Sequence, residues 1–164
     1  MSFNLTPHDY LVMFDQEHAE FQGHSSSTRK LITCCGLANS LPEIIFAQYG
    51  KFDPIKVYSA ASANGYRDYL RTQCEAHHIV RDLCDFSKHD LLTRKTVVVD
   101  KTQQRKRRES VFSGLLALTT VREVERLVVT LQNGTEILAV TILNDVAKSW
   151  HEIFERDGLS PKST

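Results

Sequence analysis

The stretch Val124–Leu143, VERLVVTLQNGTEILAVTIL, decides the fold class, because the pairing of a hairpin can be worked out from its residues. Asn133-Gly134 is its strongest turn signal, since both residues tolerate the positive φ angles of a type I′ turn. With these two residues as the loop, Val129 faces Leu138, and the apolar side chains of both strands share one face. A shift of one residue would divide them between two faces. The stretch therefore predicts an antiparallel hairpin with one buried face.

The composition is that of one globular domain with a hydrophobic core. The chain has 164 residues, of which 41% are hydrophobic and 24% are charged, and both values are ordinary for such a domain. Twenty Lys and Arg side chains balance twenty Asp and Glu side chains. Zero net charge argues against a protein built mainly for nucleic acid, because phosphates call for an excess of basic residues. No apolar run approaches the roughly 20 residues of a membrane helix, so no membrane partner is predicted.

The cysteines and the N-terminus indicate a cytoplasmic protein. The chain does not open with a basic region followed by an apolar segment, so no secretory signal is predicted. Cys34 and Cys35 are adjacent, and disulfide geometry is hard to meet across one peptide bond. Together with Cys74 and Cys84 they are expected to be reduced thiols.

Helices are predicted from capping residues and from apolar spacing. Thr6 is a good cap and Pro7 suits the first helical position, so a helix is expected from there to about Phe21. Gly158 is well placed to end the last helix. Three further helices are predicted, from the Ser25–Ser27 cap to Pro42, from Gly65 to about Leu83, and from about Asp145 to Arg156.

Strands are predicted where short apolar runs lie between turn residues. Besides the opening hairpin, the candidates are Glu43–Tyr49, Ile55–Ser59, Thr96–Asp100 and Ser110–Leu118. This order predicts an α+β domain over residues 1–158, with an antiparallel central sheet of about five to six strands flanked by helices. Residues 159–164 are expected to form a flexible tail.

The order of elements resembles that of the GAF/PAS group of sensor domains. Thr96–Asp100 is similar to the GAF element in which a short valine-rich strand ends at an acidic residue. The late strands Val111–Leu118, Val124–Leu131 and Glu136–Leu143 resemble the sheet that closes that fold. Leu159-Ser160-Pro161-Lys162 is similar to the opening of LuxR-type helix-turn-helix domains. The resemblance implies a sensing domain of a bacterial transcription regulator, with DNA bound by a domain outside this chain.

Small-molecule or signal sensing is the function that this resemblance implies. Aromatic side chains supply most of a small-ligand wall, and the predicted lining of the pocket is Phe46, Tyr58, Tyr69, Phe112 and Leu127. No cofactor is assigned. The alternative is a ligand-free dimerisation or protein-interaction domain, in which the terminal helices form a homodimer through Phe14, Trp150 and Phe154. No catalytic motif is organised enough to predict an enzyme.

Two groups of ligating or reactive side chains have alternative interpretations. Cys74, His77 and His78 are spaced to share one side of a helix, as a metal or haem site requires. No second pair of ligands has such spacing, and a buried cysteine beside surface histidines is the other interpretation. Cys34 and Cys35 follow two basic residues in the chain, which is typical of a redox-active thiol. Because they fall in the middle of a predicted helix, packing in the core is the other interpretation.

The segment Lys101–Glu109 contains the one run of charge, with five basic residues in eight. Such a run is typical of a nucleic-acid or acidic-partner contact, but also of a solvated loop or short helix. Aromatic residues for base stacking are absent from it. The solvated interpretation is the prediction made from the sequence.

Overall fold

The structure is a computed structural model that describes residues 5–86, 98–113 and 118–159, and all side chains in these ranges but those of residues 86 and 110–122. Its elements are α1 (Pro7–Gly23), α2 (Thr28–Tyr49), a 3-10 helix (Pro54–Val57), α3 (Ala63–Gln73), α4 (Glu75–Phe86), β1 (Val99–Ser113), β2 (Leu118–Leu131), β3 (Glu136–Leu138) and α5 (Ala139–Arg156). The central helix α2 contacts α1, α3, α4 and α5.

The predicted sheet of five to six strands is wrong. The described part of the chain holds one antiparallel sheet of three strands, in the order β1-β2-β3, and most of its other residues are helical. The error arose at short apolar runs, where periodicity alone does not separate a buried strand from a buried helix. The GAF/PAS resemblance was drawn from the larger sheet, so this fold gives it no support.

Glu43–Tyr49, predicted as a strand, is the C-terminal part of α2. Ala38, Leu41 and Ile45 are buried at helical spacing along one side of α2. The helix continues through Pro42, which the sequence analysis placed at its end, and this proline is itself buried. A proline inside a helix loses one backbone hydrogen bond, and burial of the neighbouring apolar side chains offsets that loss.

The second predicted strand and the third predicted helix also differ from the structure. Ile55–Ser59 falls on the 3-10 helix, which Pro54 opens. The single helix predicted from Gly65 to Leu83 is two helices, because Cys74 adopts an extended backbone conformation (φ −150°, ψ 119°) between α3 and α4. The break turns the chain so that both helices bury apolar residues, Tyr66 and Leu70 on α3 and Ile79 and Val80 on α4.

The hairpin of β2 and β3 forms with a register one residue away from the predicted one. Val128, and not Val129, pairs with Leu138. The loop has three residues and ends at Gly134, whose φ is +83° and whose N–H donates to the Leu131 carbonyl at 2.9 Å. A three-residue loop that ends in a left-handed residue is a common alternative to the type I′ turn. β3 is short because α5 begins directly after it, at Ala139.

β1 is the largest departure from the predicted elements. Lys101–Glu109, predicted as a loop or short helix, lies inside it, and so does the first part of the predicted strand Ser110–Leu118. Thr96 and Val97, the start of another predicted strand, lie outside the described residues. β1 pairs with β2 from Val99 to Ser113. At about 3.3 Å per residue, the two strands form a ribbon on the order of 50 Å long.

The start of the first helix and the end of the last are as predicted. The start of the last is wrong, because α5 begins at Ala139 and takes in the second half of the predicted strand Glu136–Leu143. Thr6 and Asp9 form a capping box at the start of α1. α5 ends at Arg156, and Gly158 follows with a φ of +61°. Leu159, predicted as part of a flexible tail, donates its N–H to the Phe154 carbonyl at 3.0 Å and is buried, as a Schellman cap requires. Residues 160–164 of that tail lie outside the described residues.

The core lies between α1, α2, α4, α5 and the end of the sheet that holds β3. Phe14, Trp150 and Phe154, the predicted dimer interface, are all 2% exposed or less within this core. They are therefore not available to another chain. Among the described residues, α2 alone has the length and apolar composition of a membrane span; a buried core helix meets the same criteria, and α2 occupies that position.

Candidate functional site

The ribbon formed by β1 and β2 is attached to the helices at one end. The Leu127 N–H donates to the Ser25 carbonyl at 3.2 Å, and the Gln104 side-chain amide donates to the Ser26 carbonyl at 2.9 Å. The buried Asp82 carboxylate accepts the N–H groups of Val98 and Val99 at 2.6 and 3.1 Å. These contacts hold the base of the ribbon, so its position relative to the helices is defined.

The described part of the ribbon beyond Gln104 faces solvent and is basic on one strand. β1 holds five basic and two acidic side chains, a net charge of +3, whereas β2 holds two of each. All five basic side chains are exposed: Lys101, Arg105, Lys106, Arg107 and Arg108. Because the whole chain has zero net charge, the rest of the molecule carries −3. The fold therefore concentrates positive charge on β1, although the whole chain has no net charge.

Two arginines of the ribbon are engaged by carboxylates. Arg126 donates to both oxygens of Glu109, at 2.8 and 2.6 Å, and also donates to the Ser25 hydroxyl. The hydrogen bonds from Arg126 lower the pKa of Glu109. Arg105 donates to Glu136 of β3 at 2.5 Å. These pairs fix the geometry of the ribbon near its base.

The other four basic side chains of β1 have no close carboxylate partner among the described residues. Among the described residues, Lys101, Lys106 and Arg107 have no carboxylate within ion-pair distance. Arg108 lies 3.8 Å from Glu123, but both side chains are more than half exposed, and such a pair contributes little. An array of four weakly compensated cations on one strand attracts polyanions.

A second candidate site is a cleft of about 410 Å³ between α5 and the junction of α3 and α4. Its lining includes Cys74, Ile79, Asp145, Lys148, Ser149 and Glu152. Cys74 is half-buried, whereas the other three cysteines are buried. A volume of this size is within the range of small-molecule pockets, and Cys74 is the one thiol with access to it.

His77 bonds to Ser149 of α5, which is one of the residues that line this cleft. Its Nε2 lies 2.9 Å from the Ser149 hydroxyl, and its ring meets the Trp150 ring edge-on at 4.9 Å. Burial lowers the pKa of His77 to about 4, so the imidazole is neutral at pH 7. Within the described ranges, no three His, Cys, Asp or Glu side chains are grouped as a metal site requires.

The structure also bears on the redox interpretation of Cys34-Cys35. Both side chains are fully buried in α2. Burial raises the pKa of Cys34 to about 12 and raises that of Cys35 well above its ordinary value. Because the thiolate is the reactive form, these cysteines are suited to packing and not to redox chemistry.

The structure brings together two of the five predicted pocket residues. Tyr58 and Tyr69 stack with ring centroids 4.0 Å apart, and the Tyr58 hydroxyl donates to Asp157. Phe46 is half-buried near the end of α2, and Leu127 is buried at the base of the ribbon. The side chain of Phe112 lies outside the described ones. None of the four whose side chains are described lines the 410 Å³ cleft, and the role of all five in binding a ligand stays a prediction.

Phe52 and Ile55 are prominent surface residues that the sequence analysis missed. Phe52 is 81% exposed on the turn after α2, and Ile55 is 80% exposed in the 3-10 helix. The sequence signal was present, because a Phe and an Ile stand in the polar, proline-containing segment Lys51–Lys56. It was interpreted as a turn followed by a buried strand.

No family model, curated protein or solved structure matches this chain. Function is therefore inferred from the geometry and the charge of the chain itself.

Proposed function

We propose that this protein binds nucleic acid and that the ribbon of β1 and β2 makes the contact. The observation that carries the proposal is the placement of five exposed basic side chains on one strand of the ribbon. The chain's zero net charge does not oppose it. Charges act over a Debye length of about 10 Å at ordinary ionic strength, so a phosphate near the ribbon responds to the local charge of β1.

The shape of the ribbon supports the same proposal. The major groove of B-DNA, about 12 Å wide, admits a two-stranded β-ribbon, and such ribbons read DNA in several known architectures. The base of this ribbon is held by the α1–α2 loop through Ser25 and Ser26. Because this end of the ribbon is fixed to the helices, the basic strand can approach a duplex in one orientation.

An alternative role for the same charges is protection of an edge strand. β1 is at the edge of the sheet, and proteins place charged residues on edge strands to prevent pairing with other chains. Charged residues of either sign would protect the edge strand in this way. The excess of basic over acidic residues on β1 is what favours a polyanionic partner.

The test uses two double variants that each remove one lysine and one arginine from exposed positions. Lys106→Gln/Arg107→Gln changes the ribbon, and Arg29→Gln/Lys148→Gln changes α2 and α5. Binding to a fluorescent 20-base-pair DNA duplex, an RNA duplex and a single strand is measured by anisotropy at several KCl concentrations. Thermal unfolding checks that both variants keep the wild-type fold.

We expect wild-type affinity to fall with salt, and the ribbon variant to bind more weakly with a log–log salt slope smaller by about 2, since each lost phosphate contact removes roughly one unit. The Arg29/Lys148 variant should bind like wild type. Equal losses in both variants, or no salt-dependent binding to any of the three probes, would contradict the proposal. Binding to heparin without binding to the probes would indicate an acidic protein or polysaccharide instead.

Small-molecule sensing is a second proposal, and the cleft beside Cys74 is the observation that favours it. A metabolite bound there would shield Cys74 from alkylation by iodoacetamide, while the buried Cys34, Cys35 and Cys84 serve as internal controls. Mass spectrometry gives the alkylation rate of each thiol with and without each compound that raises the melting temperature. A stabilising compound that leaves the Cys74 rate unchanged does not occupy this cleft and would contradict this second proposal.

A further inference from the structure

The segment Lys51–Lys56 holds two large apolar side chains out in solvent. Phe52 is 81% exposed and Ile55 80% exposed, whereas the other large exposed hydrophobic residues of the described chain are about 40% exposed. We call this pair the apolar knob. Single exposed apolar residues are ordinary, whereas two at this exposure within one six-residue segment are a candidate interaction site.

The apolar knob is held by a network of hydrogen bonds. The N–H groups of Phe52 and Asp53 donate to the Tyr49 carbonyl at 3.1 and 2.8 Å, and the Ser59 N–H donates to the Pro54 carbonyl at 2.8 Å. The ammonium group of Lys56 donates to the Gly158 carbonyl at 2.9 Å. A segment tied at this many points keeps its apolar side chains in a fixed position, which reduces the entropy lost on binding.

The backbone just after the knob is strained. Tyr58 and Ser59 both have left-handed φ angles, 55° and 53°, which cost non-glycine residues conformational energy. The bond from the Tyr58 hydroxyl to Asp157, at 2.9 Å, helps hold this conformation. Strain of this kind persists at positions that have a function.

A cleft of about 480 Å³ lies beside the knob, between α1 and the C-terminal end of α5. Gly158, which accepts the hydrogen bond from Lys56, is one of its lining residues. Val12, 40% exposed, is the accessible apolar residue of the lining, because Leu11 and Phe154 are buried. Glu155 gives the cleft negative charge, and Asp15 is paired with His151 at 3.0 Å. Lys51, which precedes the knob in the chain, carries the opposite charge.

We propose that the knob of one molecule inserts into the α1–α5 cleft of a second copy of this chain, and that the second copy returns the contact. A two-fold dimer requires each surface to present both halves of the contact, and the Lys56–Gly158 bond shows that knob and cleft are neighbours on one surface. Phe52 and Ile55 then meet Val12 at the cleft, and Lys51 meets Glu155. The proposed homodimer uses the terminal helices, as in the prediction from the sequence. Its contact is the cleft between these helices, and not their buried aromatic side chains.

The first test is the mass in solution. Light scattering coupled to size-exclusion chromatography, over a range of protein concentrations, should show a dimer for wild type. Phe52→Ser/Ile55→Ser should raise the dissociation constant at least about 100-fold, because buried apolar anchors carry most of an interface's affinity. Ile32→Ser, which changes an apolar residue 40% exposed on α2, should dimerise like wild type.

The second test exchanges charges across the proposed contact. Lys51→Glu and Glu155→Lys should each weaken the dimer, and the double variant should regain most of the lost affinity. A monomeric wild type at 100 micromolar (a concentration chosen for the test), or knob and Ile32 variants of equal affinity, would overturn the proposal. So would a monomer that sediments with phosphatidylserine vesicles through the knob, because the partner would then be a lipid surface. None of these readouts depends on nucleic-acid binding.

Discussion

The buried imidazole of His77 is neutral because its surroundings disfavour a charge. Its ring contacts Trp150 and the Ser149 hydroxyl, and burial lowers its pKa to about 4 from an ordinary 6.5. Between these two values the unfolded chain binds a proton at this position and the folded chain does not. The contribution to stability is therefore complete above pH 6.5 and is lost as the pH falls toward 4.

A His77→Gln variant tests this linkage. Between pH 7 and pH 4.5, the free energy of unfolding of wild type should fall by about 2 kcal/mol more than that of the variant, because each pKa unit is worth about 1.4 kcal/mol. Urea unfolding at the two pH values measures both differences. Equal losses in the two proteins would mean that His77 is accessible to protons in the folded state.

Two glycines, one in a hairpin loop and one in a helix, are expected to change stability in opposite directions when they are replaced by alanine. Gly134, which closes the β2–β3 loop, has a φ of +83°, and a Cβ added there would meet no atom within 4 Å. Gly36 lies inside α2, and a Cβ added there also meets nothing within 4 Å. Because neither position is crowded, alanine at each one reports the backbone conformation alone.

We expect Gly134→Ala to lower the free energy of unfolding by about 1 kcal/mol, since a left-handed φ strains any residue with a Cβ. Gly36→Ala should raise it by about 1 kcal/mol, because glycine is the weaker helix former. Thermal or urea unfolding of both variants measures the changes. A gain in stability from Gly134→Ala would indicate that the loop relaxes to another turn type.

Local signals predicted the start of α1 and the end of α5 well, and the other helix termini and the element types poorly. Thr6 and Gly158 were placed correctly because capping involves only neighbouring backbone groups. Glu43–Tyr49 and Ile55–Ser59 were assigned as strands because short apolar runs are compatible with either structure. The hairpin register was wrong by one residue because a turn that contains Asn-Gly is compatible with both a two-residue and a three-residue loop.

For the molecule as a whole, the distribution of charge matters more than its sum. Equal numbers of acidic and basic residues suggested that nucleic acid was not a partner. The fold places a net charge of +3 on β1, and the rest of the chain carries −3. Composition has no information about position, so an argument from net charge fails for a protein whose basic residues lie together on one projecting strand.

The sequence predicted the basic segment but neither of the two clefts. The basic run Lys101–Arg108 stood out in the sequence, but its strand conformation and exposed position did not. The α4–α5 cleft and the α1–α5 cleft join residues far apart in the chain, such as Cys74 with Ser149 and Leu11 with Phe154. No local pattern predicts such pairs, because they depend on how the helices pack.

The sequence by itself determined the start of α1, the end of α5, the turn at Asn133-Gly134 and the presence of a basic segment, since each depends on residues that are neighbours in the chain. Only the tertiary structure decided that Glu43–Tyr49 is helical and that Lys101–Glu109 belongs to a long ribbon. It also decided which aromatic residues are buried and which face solvent. The physical reason is that the free energy of burying a side chain depends on neighbours brought together by folding, and a short segment does not specify those neighbours.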